Sequence, residues 1–231
     1  MKTEIVYEDK DILVARKPAG LATQTAKVGQ QDVVSELKNY LRQPYLGVIH
    51  RLDQPVEGLL VFAKNRDAAA GLTAQLQKQG EDGSLHKRYY AVLCGKPAEN
   101  EGRFVDYLCK DESGKAIVAG DAALSGAKRA VLSYHILRVL DSPAELALAD
   151  ICLETGRFHQ IRAQMAHHGY PLLGDGKYGD DRTGDLSKGL GVKDVALCAC
   201  YLEFLHPVSS QDMRFRIEPR GRAFSYFAFG F

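Results

Sequence analysis

The sequence contains no apolar run long enough for a membrane helix, because no stretch approaches the roughly 20 apolar residues that such a helix needs. The first four residues lead directly into a strand-like segment, so we expect no signal peptide. A linker, an internal repeat and a low-complexity tract are also missing. With 45% apolar and 26% charged residues, the composition is that of an ordinary globular protein, for which we expect a cytoplasmic location.

Cysteine is scarce, and its spacing matches no familiar metal motif. The five cysteines include no Cys-x-x-Cys pair, and four of them lie in apolar, strand-like segments. Cys198 and Cys200 would place both sulfurs on one face of a strand, because side chains alternate along an extended chain. A free cysteine in such surroundings acts as a small hydrophobic residue. The sequence therefore predicts reduced core thiols and no metal site.

The chain also lacks an excess of charge of either sign. A net charge of +1 argues against a protein that coats nucleic acid by bulk electrostatics, since such binding needs many basic side chains facing phosphates. A local basic groove is still compatible with this balance. Charge alone therefore does not indicate a nucleic acid as the partner.

Hydrophobic periodicity predicts many strands and few helices. Residues 32–42 carry apolar side chains at helical spacing with Asp32 as a cap, and residues 66–79 are predicted as a second helix. The continuous apolar run 58–63 is typical of a strand that is buried on both faces. The other predicted strands cover residues 4–7, 11–16, 88–94, 129–139, 145–153, 195–205 and 212–217. Because strands and helices do not alternate regularly, the pattern predicts an α+β fold with a mixed sheet.

Two long polar stretches interrupt the strands, residues 110–128 and residues 174–194. The second holds six glycines among Asp, Lys, Thr and Ser. Both are predicted as loops, and loops of this length within a compact domain are usually functional or mobile. A passive insertion is the alternative for the second stretch.

An unusual segment, residues 49–55 (IHRLDQP), precedes the central apolar strand. It combines a basic pair, a carboxylate and a proline. A residue before proline is held extended, which fixes the backbone close to Asp53. The alternative for an isolated Asp at this place is a turn in which the carboxylate caps its own backbone.

A second unusual segment, residues 155–166 (TGRFHQIRAQMA), is predicted to be helical from about residue 157. Its apolar stripe would begin at Phe158, and Arg162 falls beside that residue on the stripe. A guanidinium there must either extend to the solvent or meet a buried carboxylate, because a lone buried charge is too costly. Asp53 is the candidate carboxylate, since its flanking residues look least like a simple turn.

Several blocks of the sequence, in order and at plausible spacing, resemble the RluA-type pseudouridine synthases. The blocks are 7–20 (beginning YED and ending KPAG), 50–53 (HRLD) with 58–64 (GLLVFAK), 87–89 (KRY), 156–162 (GRFHQIR) with 169–179, and 197–207. Five ordered blocks are far more specific than any one alone. The resemblance implies a single catalytic domain over residues 1–231, with a mixed, mostly antiparallel sheet flanked by helices and long loops. The extra N-terminal RNA-binding domain of some relatives is not expected.

The resemblance also implies an activity, the isomerisation of uridine to pseudouridine in structured ribosomal or transfer RNA, by a monomer without a cofactor. Such chemistry needs the target base flipped out of its stack and into a pocket. The implied catalytic residues are Asp53 at the sugar, Tyr89 against the flipped uracil, and Arg162 as the salt-bridge partner of Asp53. RNA contacts are implied for His50, Arg51, Lys87, Arg157, His159 and Gln160.

Plainer roles stay open for several of these residues. Tyr89 could simply pack in the sheet, Arg51 could form a surface ion pair, and His159 could be a structural histidine. Asp53 could act as a nucleophile or as a base. The stretch 174–194 could close over RNA or be a passive insertion.

One departure from the family pattern bears on the substrate more than on the chemistry. Val56 and Glu57 stand where the family usually has Thr-Ser, so an apolar group and an anion replace two hydroxyls close to where RNA phosphates are expected. An alternative function is therefore a protein that keeps the fold but acts as an RNA-binding or folding factor. A third, more distant alternative is a carboxylate-dependent hydrolase of free nucleosides.

Overall fold

The computed structural model describes residues 1–25, 29–78, 83–120, 126–142 and 144–227. Contacts divide the chain into two compact units. The first unit comprises Met1–Lys87 with Cys198–Pro219, and the second comprises Arg88–Leu197 with Arg220–Phe231. The expectation of one catalytic domain over the whole chain stays a prediction.

Eleven strands and four α-helices lie within the described residues. The strands are β1 (Glu4–Glu8), β2 (Ile12–Lys17), β3 (Gly47–Val48), β4 (Glu57–Ala63), β5 (His86–Cys94), β6 (Glu101–Lys110), β7 (Ala116–Val118), β8 (Lys128–Leu140), β9 (Leu146–Leu153), β10 (Leu197–Leu205) and β11 (Asp212–Arg216). The helices are α1 (Val33–Leu41), α2 (Arg66–Gln77), α3 (Gln160–His167) and α4 (Asp181–Gly189), and a 3-10 helix follows at Arg222–Tyr226.

The first unit is built on a sheet with the order β1-β2-β4-β10-β11, in which β3 also pairs with β4. These pairs are antiparallel except for β4 with β10, which are parallel. Every residue of β4 is buried, so the prediction of a strand covered on both faces is confirmed. Helix α2 contributes Ala68 and Leu72 to the core of this unit, where they pack with Val61 and Phe204.

The local sequence explains where α1 begins. Asp32 has an extended backbone, and its carboxylate accepts a hydrogen bond from Ser35 N at 2.7 Å. In return, the Ser35 hydroxyl accepts a hydrogen bond from Asp32 N at 3.1 Å. This reciprocal cap satisfies a helix N–H that would otherwise lack a partner. The prediction of a helix over residues 32–42 with Asp32 as its cap is confirmed.

The second unit contains an antiparallel sheet with the order β5-β9-β8-β6-β7. Ala163 of α3 packs in a small core with Leu108 of β6, Ala116 of β7 and Ala130 of β8. All of these strand pairs are antiparallel, and the first unit adds one parallel pair. The predicted α+β fold with a mixed, mostly antiparallel sheet is confirmed.

The predicted start of α3 near residue 157 is wrong. The helix begins at Gln160, after His159, whose backbone is left-handed with a φ of 51°. Phe158 therefore lies outside the helix, and 46% of its surface is exposed. An apolar stripe that begins at Phe158 does not form, although Arg162 is buried within the helix as the pattern indicates.

The two long polar stretches are not simply loops. Strand β7 forms within residues 110–128. Helix α4 forms within residues 174–194, and Asp180 caps it by accepting a hydrogen bond from Thr183 N at 2.8 Å. Glycine lowers helix propensity by about 1 kcal/mol relative to alanine, so the glycines of this stretch hid a helix that its cap could have indicated.

The described helices are short, and in that part of the chain none has both the length and the apolar character needed to cross a membrane. All five cysteines are free thiols. Cys198 and Cys200 are buried as predicted, whereas Cys152 on β9 is exposed, so the prediction of a core thiol is wrong there.

Candidate active site

Asp53 lies in a tight turn that leads into β4. Val56 N donates a hydrogen bond to the main-chain oxygen of Asp53 at 3.1 Å, with Gln54 and Pro55 at the centre of the turn. Asp53 itself is half-buried. Main-chain atoms therefore close this turn, and a carboxylate that caps its own backbone is not needed to explain it.

A buried lysine holds this turn from the end of β2. The Lys17 side chain is fully buried, and its ammonium group donates to the main-chain oxygens of Leu21 at 2.6 Å and of Gln54 at 3.0 Å. Gly20 N donates to the same Gln54 oxygen at 2.9 Å. A buried charge is stable only when it is hydrogen-bonded. The Lys17 ammonium thus ties its own loop to the residue that follows Asp53.

Thr23 holds the other side of Asp53. Its hydroxyl donates to the main-chain oxygen of Leu52 at 2.9 Å and accepts from Leu52 N at 3.2 Å, and both residues are buried. The residues before and after Asp53 are therefore both bonded to the loop after β2, which fixes the backbone that carries the Asp53 carboxylate. No sequence pattern indicates a role for Thr23, whereas the KPAG block is an available signal for Lys17.

His50 is buried, and its predicted contact with RNA stays a prediction. Only 8% of its surface is exposed, and Nε2 accepts a hydrogen bond from Val61 N at 3.3 Å. The ring proton therefore lies on Nδ1, which has no hydrogen-bond partner among the described residues. Burial, with a smaller effect of the Lys87 charge, lowers the pKa of His50 well below its ordinary value, so the ring is neutral at pH 7.

We expect His50 to make the folded state less stable in acid. In the unfolded chain His50 binds a proton below pH of about 6.5, whereas the folded state keeps it neutral to lower pH. The contribution of His50 to the free energy of unfolding is therefore fully present above a pH of about 6.5. Below that pH the free energy of unfolding falls by about 1.4 kcal/mol per pH unit. Urea unfolding at several pH values should show a weaker acid loss in His50→Gln than in the wild type. His135→Gln, at an exposed position of β8, is the control, and equal pH dependence in wild type and His50→Gln would contradict the expectation.

Arg51 and Lys87, two other predicted RNA contacts, lie in different environments. Arg51 is exposed beside the Asp53 turn. Lys87 lies on β5, and although part of its side chain reaches solvent, burial lowers the pKa of its ammonium group to about 8. Side chains two residues apart on a strand share a face, so Lys87 and Tyr89 point in the same direction from β5. Their contact with RNA stays a prediction.

The unusual pair Val56 and Glu57 lies in the interior of the first unit. Val56 is 2% exposed and Glu57 is 6% exposed. The Glu57 carboxylate forms a buried salt bridge with Arg16 of β2 at 2.9 Å, and Arg16 also donates to the main-chain oxygen of Glu218 at 2.9 Å. The anion is therefore paired inside the protein, and the prediction that it stands where RNA phosphates pass is corrected.

Arg162 meets a buried carboxylate, that of Asp175. Its Nε and Nη2 donate to Oδ2 and Oδ1 of Asp175 at 2.7 Å and 2.8 Å, and the two side chains are 5% and 0% exposed. Asp175 Oδ1 also accepts from Lys177 N at 3.1 Å. Asp175 lies in the block 169–179, but no pattern there predicts it as the partner of Arg162. The predicted pairing of Arg162 with Asp53 joins residues of the two units and stays a prediction.

Gln160 is buried, and its predicted contact with RNA stays a prediction. Its Oε1 accepts from the Thr155 hydroxyl at 2.8 Å and from Arg157 N at 2.9 Å, and its Nε2 donates to the main-chain oxygen of Val131 at 3.0 Å. Only 3% of its surface is exposed. The amide therefore fixes the entrance of α3 against β8.

The remaining predicted site residues lie in the second unit. Tyr89 is 5% exposed and pairs across the sheet with Ile151 of β9. Arg157 is exposed, and its Nε donates to the main-chain oxygen of Arg129 at 2.9 Å. His159 is half-buried, and its Nδ1 lies 2.9 Å from the Tyr178 hydroxyl. The roles of these residues in catalysis or RNA binding stay predictions.

Sequence comparisons place this chain among known proteins. The family model of RNA pseudouridylate synthases matches residues 11–167. Ribosomal large subunit pseudouridine synthase D of Zymomonas mobilis subsp. mobilis is 33% identical over 228 residues, which cover 93% of this chain and 68% of that protein. The protein of the same name from Pseudomonas aeruginosa is 34% identical over 227 residues, or 93% of this chain and 67% of its own length. tRNA pseudouridine synthase C of Yersinia pestis is 29% identical and is covered over 83% of its length, with 90% of this chain aligned.

Two solved structures share the fold. Human RNA Pseudouridylate Synthase Domain Containing 1 superposes with a TM-score of 0.77 at 21% identity, covering 94% of this chain and 83% of the human chain. Human RNA Pseudouridylate Synthase Domain Containing 4 superposes with a TM-score of 0.74 at 23% identity, covering 96% of this chain and 92% of the human chain. This chain spans about two thirds of the length of the two ribosomal relatives.

Proposed function

The chain belongs to the RNA pseudouridylate synthase family, and we propose that it isomerises uridine to pseudouridine in ribosomal or transfer RNA. The observation that carries this proposal is the Asp53 turn, whose flanking residues are hydrogen-bonded to Lys17 and Thr23. A turn held in this way fixes the backbone of Asp53 before the substrate binds, which lowers the entropic cost of reaching the reactive geometry.

The proposed reaction leaves the atoms of the substrate unchanged. The bond between C1′ of the ribose and N1 of the uracil breaks, the uracil turns, and a new bond forms between C1′ and C5. The hydrogen on C5 is then lost as a proton, and N1 gains one. Asp53 acts at the sugar, as the nucleophile or as the base that removes a sugar proton. The chemistry uses no cofactor.

Two further residues are proposed to take part in the reaction. Tyr89 is proposed to lie against the flipped uracil and to assist proton removal at C5. Arg162 is proposed to pair with Asp53, and its buried bidentate bond to Asp175 would hold the guanidinium in place for this role. Lys87, on the same face of β5 as Tyr89, is proposed to contact the RNA.

The proposed partner is RNA, as the names of the relatives indicate for those proteins. Structured RNA fits the chemistry, because the target base must leave a stack to reach Asp53. We propose that the protein acts as a monomer in the cytoplasm. The alternative of a factor that binds RNA without modifying it depended on the Val56-Glu57 departure, and it loses that support because Glu57 is buried and paired with Arg16.

The proposal is tested with RNA from a strain that lacks the gene. The purified protein is incubated with this RNA, and pseudouridine is mapped after carbodiimide derivatisation. New pseudouridine at one or a few positions is the expected result, with no change in free uridine. A protein that leaves RNA unmodified, or that cleaves free nucleosides instead, would contradict the proposal.

A further inference from the structure

An exposed aromatic side chain stands in the second unit directly before α3. Phe158 has 46% of its surface exposed, and its ring stacks on that of His159 with centroids 3.7 Å apart and planes 19° apart. With Tyr178, Lys110 and Lys115, these residues are here named the Phe158 platform. Aromatic side chains on which bases stack are a common feature of proteins that bind single-stranded nucleic acid.

Hydrogen bonds at the Tyr178 hydroxyl hold the platform in place. The Tyr178 hydroxyl accepts a hydrogen bond from Ala116 N at 3.0 Å and lies 2.9 Å from His159 Nδ1. Since the hydroxyl accepts from Ala116, its own proton is available to His159 Nδ1. His159 thus links the Phe158 ring to β7, and the exposed ring is fixed before any ligand arrives. A fixed ring loses little conformational freedom on binding.

Two lysines lie over the aromatic rings of the platform. Lys110 Nζ lies 4.3 Å from the centroid of Phe158, and Lys115 Nζ lies 4.9 Å from the centroid of Tyr178. The described structure gives Lys110 no carboxylate partner within salt-bridge distance, and Arg157 is exposed next to Phe158. An aromatic face combined with lysines matches a nucleotide, which offers a base to the ring and a phosphate to the ammonium groups.

We propose that the Phe158 platform binds an unpaired nucleotide of the RNA substrate, with its base stacked on Phe158 and its phosphate bound by Lys110. The inference deepens the proposed function, because it takes RNA to be the substrate. His159 covers one face of the ring, so the base would replace Lys110 on the other face. A cation over an exposed aromatic ring raises a binding constant about 2- to 5-fold, whereas a base stacked on such a ring raises it about 5- to 150-fold. The base is therefore favoured on the ring, and the displaced ammonium can meet the phosphate.

The absence of tryptophan from the sequence allows a direct test of stacking. Phe158→Trp introduces a single tryptophan, whose emission should be quenched when a ten-nucleotide oligouridylate binds. An oligomer of equal length with abasic sites supplies the phosphates without bases and should leave the emission unchanged. Tyr40→Trp, at a 51% exposed position of α1, is the matched control and should not respond. Equal quenching by the two oligomers, or none by oligouridylate, would overturn the proposal.

Affinity gives a second readout. Phe158→Ala should weaken oligouridylate binding about 5- to 150-fold, whereas Phe158→Tyr should bind within about 2-fold of the wild type. Lys110→Met should lower the slope of log Kd against log salt concentration by about 0.7, as expected for one lost contact with a single-strand phosphate. Binding by Phe158→Ala as tight as that of the wild type would overturn the proposal that the Phe158 platform binds a nucleotide. Failure of the wild type to make pseudouridine would instead overturn the proposed function and leave the binding result intact.

Discussion

Asp53→Asn is expected to abolish pseudouridine formation while the protein folds normally. The amide has nearly the same shape as the carboxylate, and the turn around it is closed by the main-chain bond from Val56 N to the residue 53 oxygen. The bonds from Lys17 and Thr23 also reach main-chain atoms of neighbouring residues, so the substitution leaves them in place. What is lost is the negative charge that attacks the sugar or removes its proton. We expect the rate to fall by at least about 10²- to 10⁴-fold.

The measurement is single-turnover pseudouridine formation on RNA from the deletion strain, with the urea unfolding curve recorded for each protein. Asp67→Asn is the matched control, because Asp67 is an exposed carboxylate in the first turn of α2. It should form pseudouridine at the wild-type rate. If Asp53→Asn modified RNA as well as Asp67→Asn did, Asp53 would not be the catalytic carboxylate.

Elements with local signals could be predicted from the sequence. Helix α1 combines helical spacing of apolar residues with the Asp32 cap, and both signals lie within one segment. The strand β4 is apolar at nearly every position, and each residue is buried. In such segments the propensity of the chain and the tertiary burial agree, so the pattern alone is sufficient. The fold class follows from the number and order of such segments.

Helix α4 and the Asp175 carboxylate show why local signals fail elsewhere. The glycines of residues 174–194 have low helix propensity, and the helix depends on its cap and on packing against the rest of the unit. Asp175 stands between two glycines at positions 174 and 176, where an aspartate usually indicates a turn. Asp175 is buried against Arg162 of α3, which lies 13 positions earlier in the chain, and this is a tertiary contact. No pattern within the segment encodes such a contact.

The salt bridge between Arg16 and Glu57 is another contact that local sequence does not predict. Each residue, taken in its own segment, is a charged group that would ordinarily lie in solvent. Registry between β2 and β4 places Arg16 opposite Leu59, and the two charges meet inside the sheet although they are 41 positions apart. A charge that departs from a family pattern can thus reflect a buried partner in another strand as well as a change of substrate.

Among the described ion pairs of the second unit, the buried pair of Arg162 and Asp175 is expected to contribute most to the free energy of unfolding. Both side chains are almost fully removed from solvent, and the two parallel hydrogen bonds measure 2.7 Å and 2.8 Å. Arg103 and Glu154 form a bond of the same bidentate kind, at 2.7 Å for both contacts, but their side chains are 48% and 44% exposed. The two pairs differ chiefly in burial, so they form a matched comparison.

Arg162→Met should lower the free energy of unfolding by about 3–5 kcal/mol, because it leaves the Asp175 carboxylate buried without its cation. Arg103→Met should lower it by at most about 1 kcal/mol, since Glu154 stays in contact with water. Urea unfolding measures both. Adding Asp175→Asn to Arg162→Met removes the stranded charge and should recover part of the loss, which separates the charge from lost packing. Equal losses in Arg162→Met and Arg103→Met would show that burial of this pair does not determine its contribution to stability. No recovery in the double variant would show that the loss comes from packing and not from the stranded Asp175 charge.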